Sequence, residues 1–233
     1  MKEICVITGA SRGLGKEIAK EMLLKGNDVC LIARNGKELE STKTELSKIT
    51  KQMVLTFAGD VSDEKFVKMI FSELKENYRI NYLINNAGVG RFCKLEENTR
   101  EIIDEVLSAS LIGTILVTSN AMPLMKEDGT IANIMSTAAI RGIANETAYC
   151  AAKWGARGFT EALKTEFAKS RLKIVSIFPG GIDTPFWNEN RHYVSNQTSD
   201  TFMNPAELGK TIVESLTGKT SLCVKELVIE RLK

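Results

Sequence analysis

Short runs of β-branched and apolar residues alternate along this chain with longer segments in which apolar positions recur every three or four residues. The short runs predict strands at Ile4 to Thr8, Asp28 to Ala33, Met53 to Ala58, Asn81 to Asn85, Thr130 to Met135, Lys173 to Phe178 and Cys223 to Ile229. Between them, segments such as Leu14 to Leu24, Glu64 to Glu76 and Ala148 to Ala168 have helical periodicity and would each lay one apolar face on a sheet. Strand, crossover helix, strand is the pattern of a parallel sheet. The expectation is therefore an α/β, Rossmann-type doubly wound sheet of seven parallel strands with helices on both faces.

The 233 residues contain no low-complexity linker, charge block or internal repeat, so one domain spanning 1–233 is expected. One segment departs from the alternation. Gly180 to Asn204 is polar, follows a strand end and carries Phe186, Trp187, Tyr193 and Phe202, so a substrate-binding loop is expected at about 180–204, with a plain surface loop as the alternative.

A hydrophobic fraction of 43%, a charged fraction of 26% and a net charge of +2 are ordinary for a globular protein and leave no nucleic-acid footprint. No apolar run reads as a membrane span, and Met1-Lys2-Glu3-Ile4 leads into a strand, so a cytoplasmic protein without a membrane partner is expected. The five cysteines are scattered, without a CxxC pair or Cys/His cluster, so no metal site is expected. Cys5 and Cys30 fall on strands read as neighbours; they are either buried thiols or a disulfide. The sole histidine, His192, stands in the polar segment and makes a poor base for a Ser/His/Asp triad.

The first strand runs into Thr8-Gly9-Ala10-Ser11-Arg12-Gly13-Leu14-Gly15, and helical periodicity begins at once. Glycines at 9, 13 and 15 suit a tight turn, close approach of backbone to a pyrophosphate, and close helix–strand packing, with the helix N-terminus facing the anion. The same spacing also serves a ligand-free turn. A P-loop is excluded because Ala10 stands where its first glycine belongs and Glu17 where its Ser or Thr belongs. At the end of the second strand, where NAD-binding folds place an acid, the residues are Ala33 and Arg34. Arg34 with Arg12 would suit a 2′-phosphate, and with no carboxylate expected at that corner the reading is NADP(H); each arginine could also be a solvated surface charge.

Tyr149 and Lys153 stand four apart in a helical segment and share a face, a spacing that also occurs on exposed helices. Read chemically, the ammonium would stabilise the phenolate and lower the phenol pKa towards the range of a general acid/base. Ser136 closes a strand, where its hydroxyl could donate to a substrate carbonyl or merely start a turn.

In order and spacing these segments resemble the short-chain dehydrogenase/reductase family: Thr8 to Gly15 its TGxxxGxG, Asp60-Val61 its adenine pair, Asn85-Asn86-Ala87-Gly88 its NNAG, Ser136 with Tyr149 to Lys153 its serine and YxxxK, and Pro179 to Thr184 its PGxxxT. The resemblance implies that Tyr149 exchanges a proton with the carbonyl oxygen, Lys153 holds the nicotinamide ribose and tunes Tyr149, and Ser136 orients substrate. It further implies that Gly9, Ser11, Arg12, Gly13, Leu14, Gly15, Arg34, Asp60, Val61, Asn86, Ala87 and Gly88 contact the nucleotide, and Pro179, Gly180, Ile182 and Thr184 the carboxamide end. Ser110 in Ser110-Leu111-Ile112-Gly113 stands where the family usually has an asparagine of the proton relay. Gly88 to Phe92, Thr184 to Trp187 and the chain end look like a subgroup that includes sepiapterin-reductase-like enzymes.

The implied function is an NADP(H)-dependent oxidoreductase interconverting a small-molecule carbonyl and an alcohol, expected as a homodimer or homotetramer. The alternatives are a catalytically weak NADP(H)-binding sensor or scaffold, which Ser110 would favour, and a ketoacyl-carrier-protein reductase.

Overall fold

A computed structural model of the chain describes residues 1–188, 190, 201–218 and 222–232. Residues 191–200, His192 and Tyr193 among them, lie outside the described residues. Seven strands, β1 (Lys2–Thr8), β2 (Asp28–Ala33), β3 (Val54–Ala58), β4 (Tyr78–Asn85), β5 (Met125–Ile134), β6 (Lys173–Pro179) and β7 (Glu226–Ile229), form one sheet. Its order is β3-β2-β1-β4-β5-β6-β7, parallel throughout. The doubly wound expectation holds.

Successive strand residues point to opposite faces, so each apolar strand feeds two cores. Cys5, Ile7 and Leu31 meet α1 (Gly13–Leu24), α2 (Gly36–Leu46) and α7 (Pro205–Thr217) through Ile18, Met22, Leu39, Leu208 and Ile212. Ile4, Val6, Cys30 and Ile32 meet the other layer, α3 (Glu64–Leu74), α5 (Gly113–Ala121) and α6 (Thr147–Glu166), through Val67, Ile70, Val117 and Leu163. This alternation rules out the disulfide: Val6, not Cys5, pairs with Cys30, and the two thiols sit in different cores. Both are free, and burial pushes both thiol pKa values up.

Some boundaries differ from the sequence reading. β4 and β5 begin earlier, because Tyr78 and Arg79 pair with Lys2 and Glu3, and Met125 with Ile80 across a register shift. β7 begins only at Glu226, since Ser176 to Pro179 of β6 offers partners to Glu226 to Ile229 alone.

The continuous helical stretch Arg100–Leu124 corrects another expectation, since by length and composition it is apolar enough to match a membrane span. It comprises α4 (Arg100–Leu107), a π-helical turn (Ser108–Ile112), α5 and a closing 3-10 turn. Val117, Thr118 and Ala121 of this stretch are buried, and α5 packs on β4 and α3 while α4 packs on α6. A polar network is sealed beneath it. Asn85 donates to Thr118 Oγ1 (2.9 Å) and Asn133 Oδ1 (2.8 Å), and Asn133 donates to Thr160 Oγ1 (2.8 Å), which ties β4, β5, α5 and α6 together just behind the carboxyl edge of the sheet.

Candidate active site

The chain crosses from one half of the sheet to the other between β1 and β4, and the carboxyl ends of the strands there open a cleft of about 730 Å³. This is where open α/β sheets take their ligands. Of the residues read from the sequence, Gly9, Ser11, Arg12, Gly13, Leu14, Arg34, Asp60, Val61, Asn86, Ala87, Gly88, Ser136, Tyr149, Lys153, Pro179, Gly180, Ile182 and Thr184 all line it. Gly15 and Ser110 do not.

At the nucleotide end, Gly9 adopts φ +65°, which turns β1 towards α1. Gly15 is the third residue of α1, where a Cβ would collide with the Gly9 carbonyl and come within 2.5 Å of Asn86 Nδ2, so its role is packing. Asn86 locks the two crevice strands: its Nδ2 donates to the carbonyls of Thr8 and Gly9, 3.1 Å each, while Thr8 Oγ1 accepts from the amides of Asn86 and Ala87, 3.0 Å each. The N-terminus of α1 has neither a side-chain cap nor an acid in its first turn. Its amides and dipole are left to an anion, which fits a pyrophosphate. Asp60 spends Oδ1 on the amide and hydroxyl of Ser62 (2.8 and 2.7 Å) and fixes the bend that presents Val61.

The phosphate corner holds an acid, contrary to the expectation of no carboxylate there. Glu38, in the first turn of α2, lines the cleft; Ser11 donates to its Oε2 at 3.3 Å, and Arg12 Nη1 lies 3.6 Å from Oε1. Arg34 also lines the cleft and has no ion-pair partner among the described residues. Glu38 was missed because it belongs to a helix that follows Arg34, and only the crossover folds it back over the glycine turn.

At the chemical end, Tyr149 and Lys153 share the buried face of α6, and Ser136, two residues beyond the end of β5, caps a 3-10 turn with its Oγ accepting from the Ala138 amide at 3.1 Å. Lys153 is 4% exposed, places Nζ 5.5 Å from the Tyr149 ring centroid, and donates to the Ile134 carbonyl at 3.4 Å. No carboxylate pairs with it among the described residues, and burial pulls its pKa down to about 8. An ammonium with one hydrogen bond and two unused donors fits the hydroxyls of a ribose.

Tyr149 behaves differently from the sequence reading. Burial first, then the nearby Glu146, pushes its pKa above the ordinary phenol value, and Ser136 only partly offsets this. Desolvation dominates because the phenol ring packs in an aromatic cluster. Its ring meets Phe92 edge-on at 5.5 Å and Phe186 at 5.9 Å, while Trp187 lies 5.5 Å from Phe92 and stacks on Phe202 at 5.0 Å. Gly88 to Phe92 and Thr184 to Trp187, read separately in the sequence, thus form one wall. Asn190 pins that wall: it accepts from the Phe92 amide at 2.9 Å and donates to the Gly90 carbonyl at 3.1 Å.

Ser110 lies behind the cleft, 2% exposed, within the π-helical turn. Its Oγ accepts from the Val89 amide at 3.3 Å and donates to the Val89 carbonyl at 3.5 Å. Ser110 Oγ and Lys153 Nζ flank Gly88, each 3.3 Å from the place a Cβ there would take. Glu146 and Arg141, which also line the cleft, were absent from the sequence reading. The signal for Glu146 was its place three residues before Tyr149; Arg141 had none.

A family profile for short chain dehydrogenases matches residues 3–194. The chain belongs to the short chain dehydrogenase family. It is 29% identical over 239 residues to a sepiapterin reductase of Chlorobaculum tepidum, covering 98% of this chain and 96% of the relative. It is 31% identical over 218 residues to carbonyl reductase family member 4 of Xenopus laevis, covering 91% and 90%. Among solved structures it superimposes with a TM-score of 0.90, at 25% identity over 99% of this chain and 97% of the other, on an alcohol dehydrogenase of the archaeon Thermococcus sibiricus complexed with 5-hydroxy-NADP. The short chain dehydrogenase assignment makes the cleft that of an oxidoreductase with a nicotinamide cofactor.

Proposed function

We propose that this short chain dehydrogenase is an NADP(H)-dependent carbonyl reductase that interconverts a ketone or aldehyde and an alcohol, with Tyr149 as general acid/base. The observation that carries this reading is the convergence on one cleft of Ser136, Tyr149 and a buried Lys153 without an acidic partner, opposite an uncapped helix N-terminus. The names of the relatives, a carbonyl reductase and a sepiapterin reductase, support the substrate class, and the NADP derivative in the archaeal dehydrogenase supports the cofactor.

A bound nicotinamide cofactor supplies the hydride. Ser136 donates to the carbonyl oxygen and polarises it. Tyr149, kept protonated by its raised pKa, gives its proton to that oxygen as negative charge develops. Lys153 holds ribose hydroxyls and faces the phenolate left behind, so a cation offsets the anion when it forms. Arg34 and Arg12 receive the 2′-phosphate, for which Arg12 must exchange its contact with Glu38. The aromatic wall of Phe92, Phe186 and Trp187 excludes water from the reacting carbonyl. A cytoplasmic location and a homodimer or homotetramer complete the proposal.

The test is NADPH oxidation against a panel of carbonyl compounds including sepiapterin, diketones and ketoacyl thioesters, with Tyr149→Phe as control. Turnover by the parent and its loss in Tyr149→Phe, with NADPH binding retained by fluorescence titration, is the expected result. Binding of NADPH without turnover of any carbonyl would favour the sensor reading, for which the short Ser110 hydroxyl is the supporting observation.

A further inference from the structure

Among the described residues, three acidic side chains line the cleft, and two of them are engaged. Glu38 is held by Ser11 and Arg12, and Asp60 by Ser62. The third, Glu146, has no hydrogen-bond or ion-pair partner for its carboxylate among the described residues. Its position is set by backbone. Asn145 adopts the left-handed conformation, φ +64°, the only non-glycine among the described residues to do so, and its carbonyl accepts from the Cys93 amide at 2.9 Å. The Glu146 carbonyl then opens α6 by accepting from the Cys150 amide at 2.7 Å. Tyr149 follows three residues later and lines the same cleft, where the charge of the carboxylate acts on the phenol. Around them the cleft is apolar, with Ile143, Ala144, Phe186 and Trp187. Of the other charged groups lining this end, Arg141 is drawn off to Glu230 at 2.9 Å, and Lys153 donates to the Ile134 carbonyl at 3.4 Å.

A half-buried carboxylate that faces an apolar cavity without a donor is costly, and that burial pushes its pKa up to about 7. A ligand that brings a donor removes the cost. We propose that Glu146 is a specificity-determining residue, which accepts a hydrogen bond from a hydroxyl or N–H carried by the carbonyl substrate near the carbonyl that Ser136 and Tyr149 engage. The inference rests on the carbonyl-reductase reading and narrows it to carbonyl compounds bearing a donor, such as hydroxyketones or carbonyl-bearing heterocycles with ring or amino N–H groups. Sites built to satisfy a polar partner discriminate against analogues that lack it, because the protein group is then left desolvated and unpaired.

The experiment compares acetoin, which carries a hydroxyl beside its carbonyl, with diacetyl, which has the same carbon skeleton and no donor. Initial rates with NADPH are measured for the parent, Glu146→Gln and Glu146→Ala, each checked by thermal melt. The acetoin to diacetyl ratio of kcat/KM should fall about tenfold in Glu146→Ala, mainly through the KM for acetoin, equivalent to the loss of one modest hydrogen bond. Glu146→Gln, which keeps an acceptor oxygen and an uncharged shape, should fall between the two. A ratio within about twofold of the parent in Glu146→Ala overturns the proposal and leaves the carbonyl-reductase reading intact. So does an equal loss of kcat on both substrates, which would mean that Glu146 acts only through Tyr149. A parent inert towards both compounds and towards the wider carbonyl panel overturns the reading and the proposal together.

Discussion

Replacing Lys153 by methionine should stabilise the protein at neutral pH while it removes activity. The ammonium is 4% exposed, has no acidic partner among the described residues and makes one hydrogen bond, to the Ile134 carbonyl at 3.4 Å. Its pKa of about 8, against an ordinary 10.5, measures how strongly the fold resists the charge. At about 1.36 kcal/mol per pH unit, this corresponds to about 3 kcal/mol. The folded pKa is depressed, so below about pH 8 lysine is charged in both states and the folded state bears the whole penalty. As pH rises from about 8 through 10.5 the penalty disappears, because the unfolded lysine then also releases its proton. Methionine fills nearly the same volume without charge, but leaves the Ile134 carbonyl without that donor at a cost of about 1 kcal/mol. A net gain of about 2 kcal/mol remains at pH 7, or about 4 to 8 °C in Tm for a chain of this size. Urea denaturation of parent and variant at pH 7 and at pH 10.5, without cofactor, measures it. The advantage of the variant should shrink as the pH rises. A methionine variant less stable than the parent at pH 7, or an advantage that does not change with pH, would show that the buried ammonium is not the source of strain. On the proposed carbonyl-reductase reading, this lysine is kept at the expense of stability because the site uses a cation there.

Other substitutions probe the remaining parts of the site. Glu38→Gln should tighten NADPH binding several-fold by freeing Arg12 from its 3.6 Å contact, and Arg34→Asp should weaken it by about ten- to a hundredfold and shift preference towards NADH; fluorescence titration with both cofactors reads each effect. Ser110→Asn should lower stability by about 1 to 3 kcal/mol, because the hydroxyl is 2% exposed and wedged between the Val89 backbone and Gly88, so a melt of the variant that matched the parent would show that the π-helical turn can expand. Asn133→Leu should cost about 2 to 4 kcal/mol in urea denaturation, since it strips a partner from both Asn85 and Thr160 inside the sealed network; a loss below about 1 kcal/mol would mean that the network is not needed for stability.

The parallel sheet, the glycine turn and the pairing of Tyr149 with Lys153 were legible without coordinates because each is local. Strand alternation with helices is written as periodicity, the strand-to-helix turn is marked by closely spaced glycines, and a spacing of four places two side chains on one helix face wherever that helix ends up. The assignment of Asn86, Asp60 and Thr184 to the cleft came through the family resemblance, and the sheet order confirms that these distant segments meet at the carboxyl edge. What the sequence could not decide was which charges become neighbours and how far each group loses its water. Glu38 returns to the phosphate corner through a crossover helix, and the left-handed turn at Asn145 aims Glu146 into the cavity. Cys5 and Cys30 separate because the register places them on opposite faces of the sheet. The phenol pKa turned out opposite to the sequence reading for the same reason. The spacing puts Tyr149 and Lys153 on one helix face, whereas the desolvation that raises the phenol pKa depends on the packing that brings Phe92 and Phe186 against the ring from segments dozens of residues away. Periodicity and spacing are properties of neighbouring residues; burial and its effect on charge belong to the packed whole.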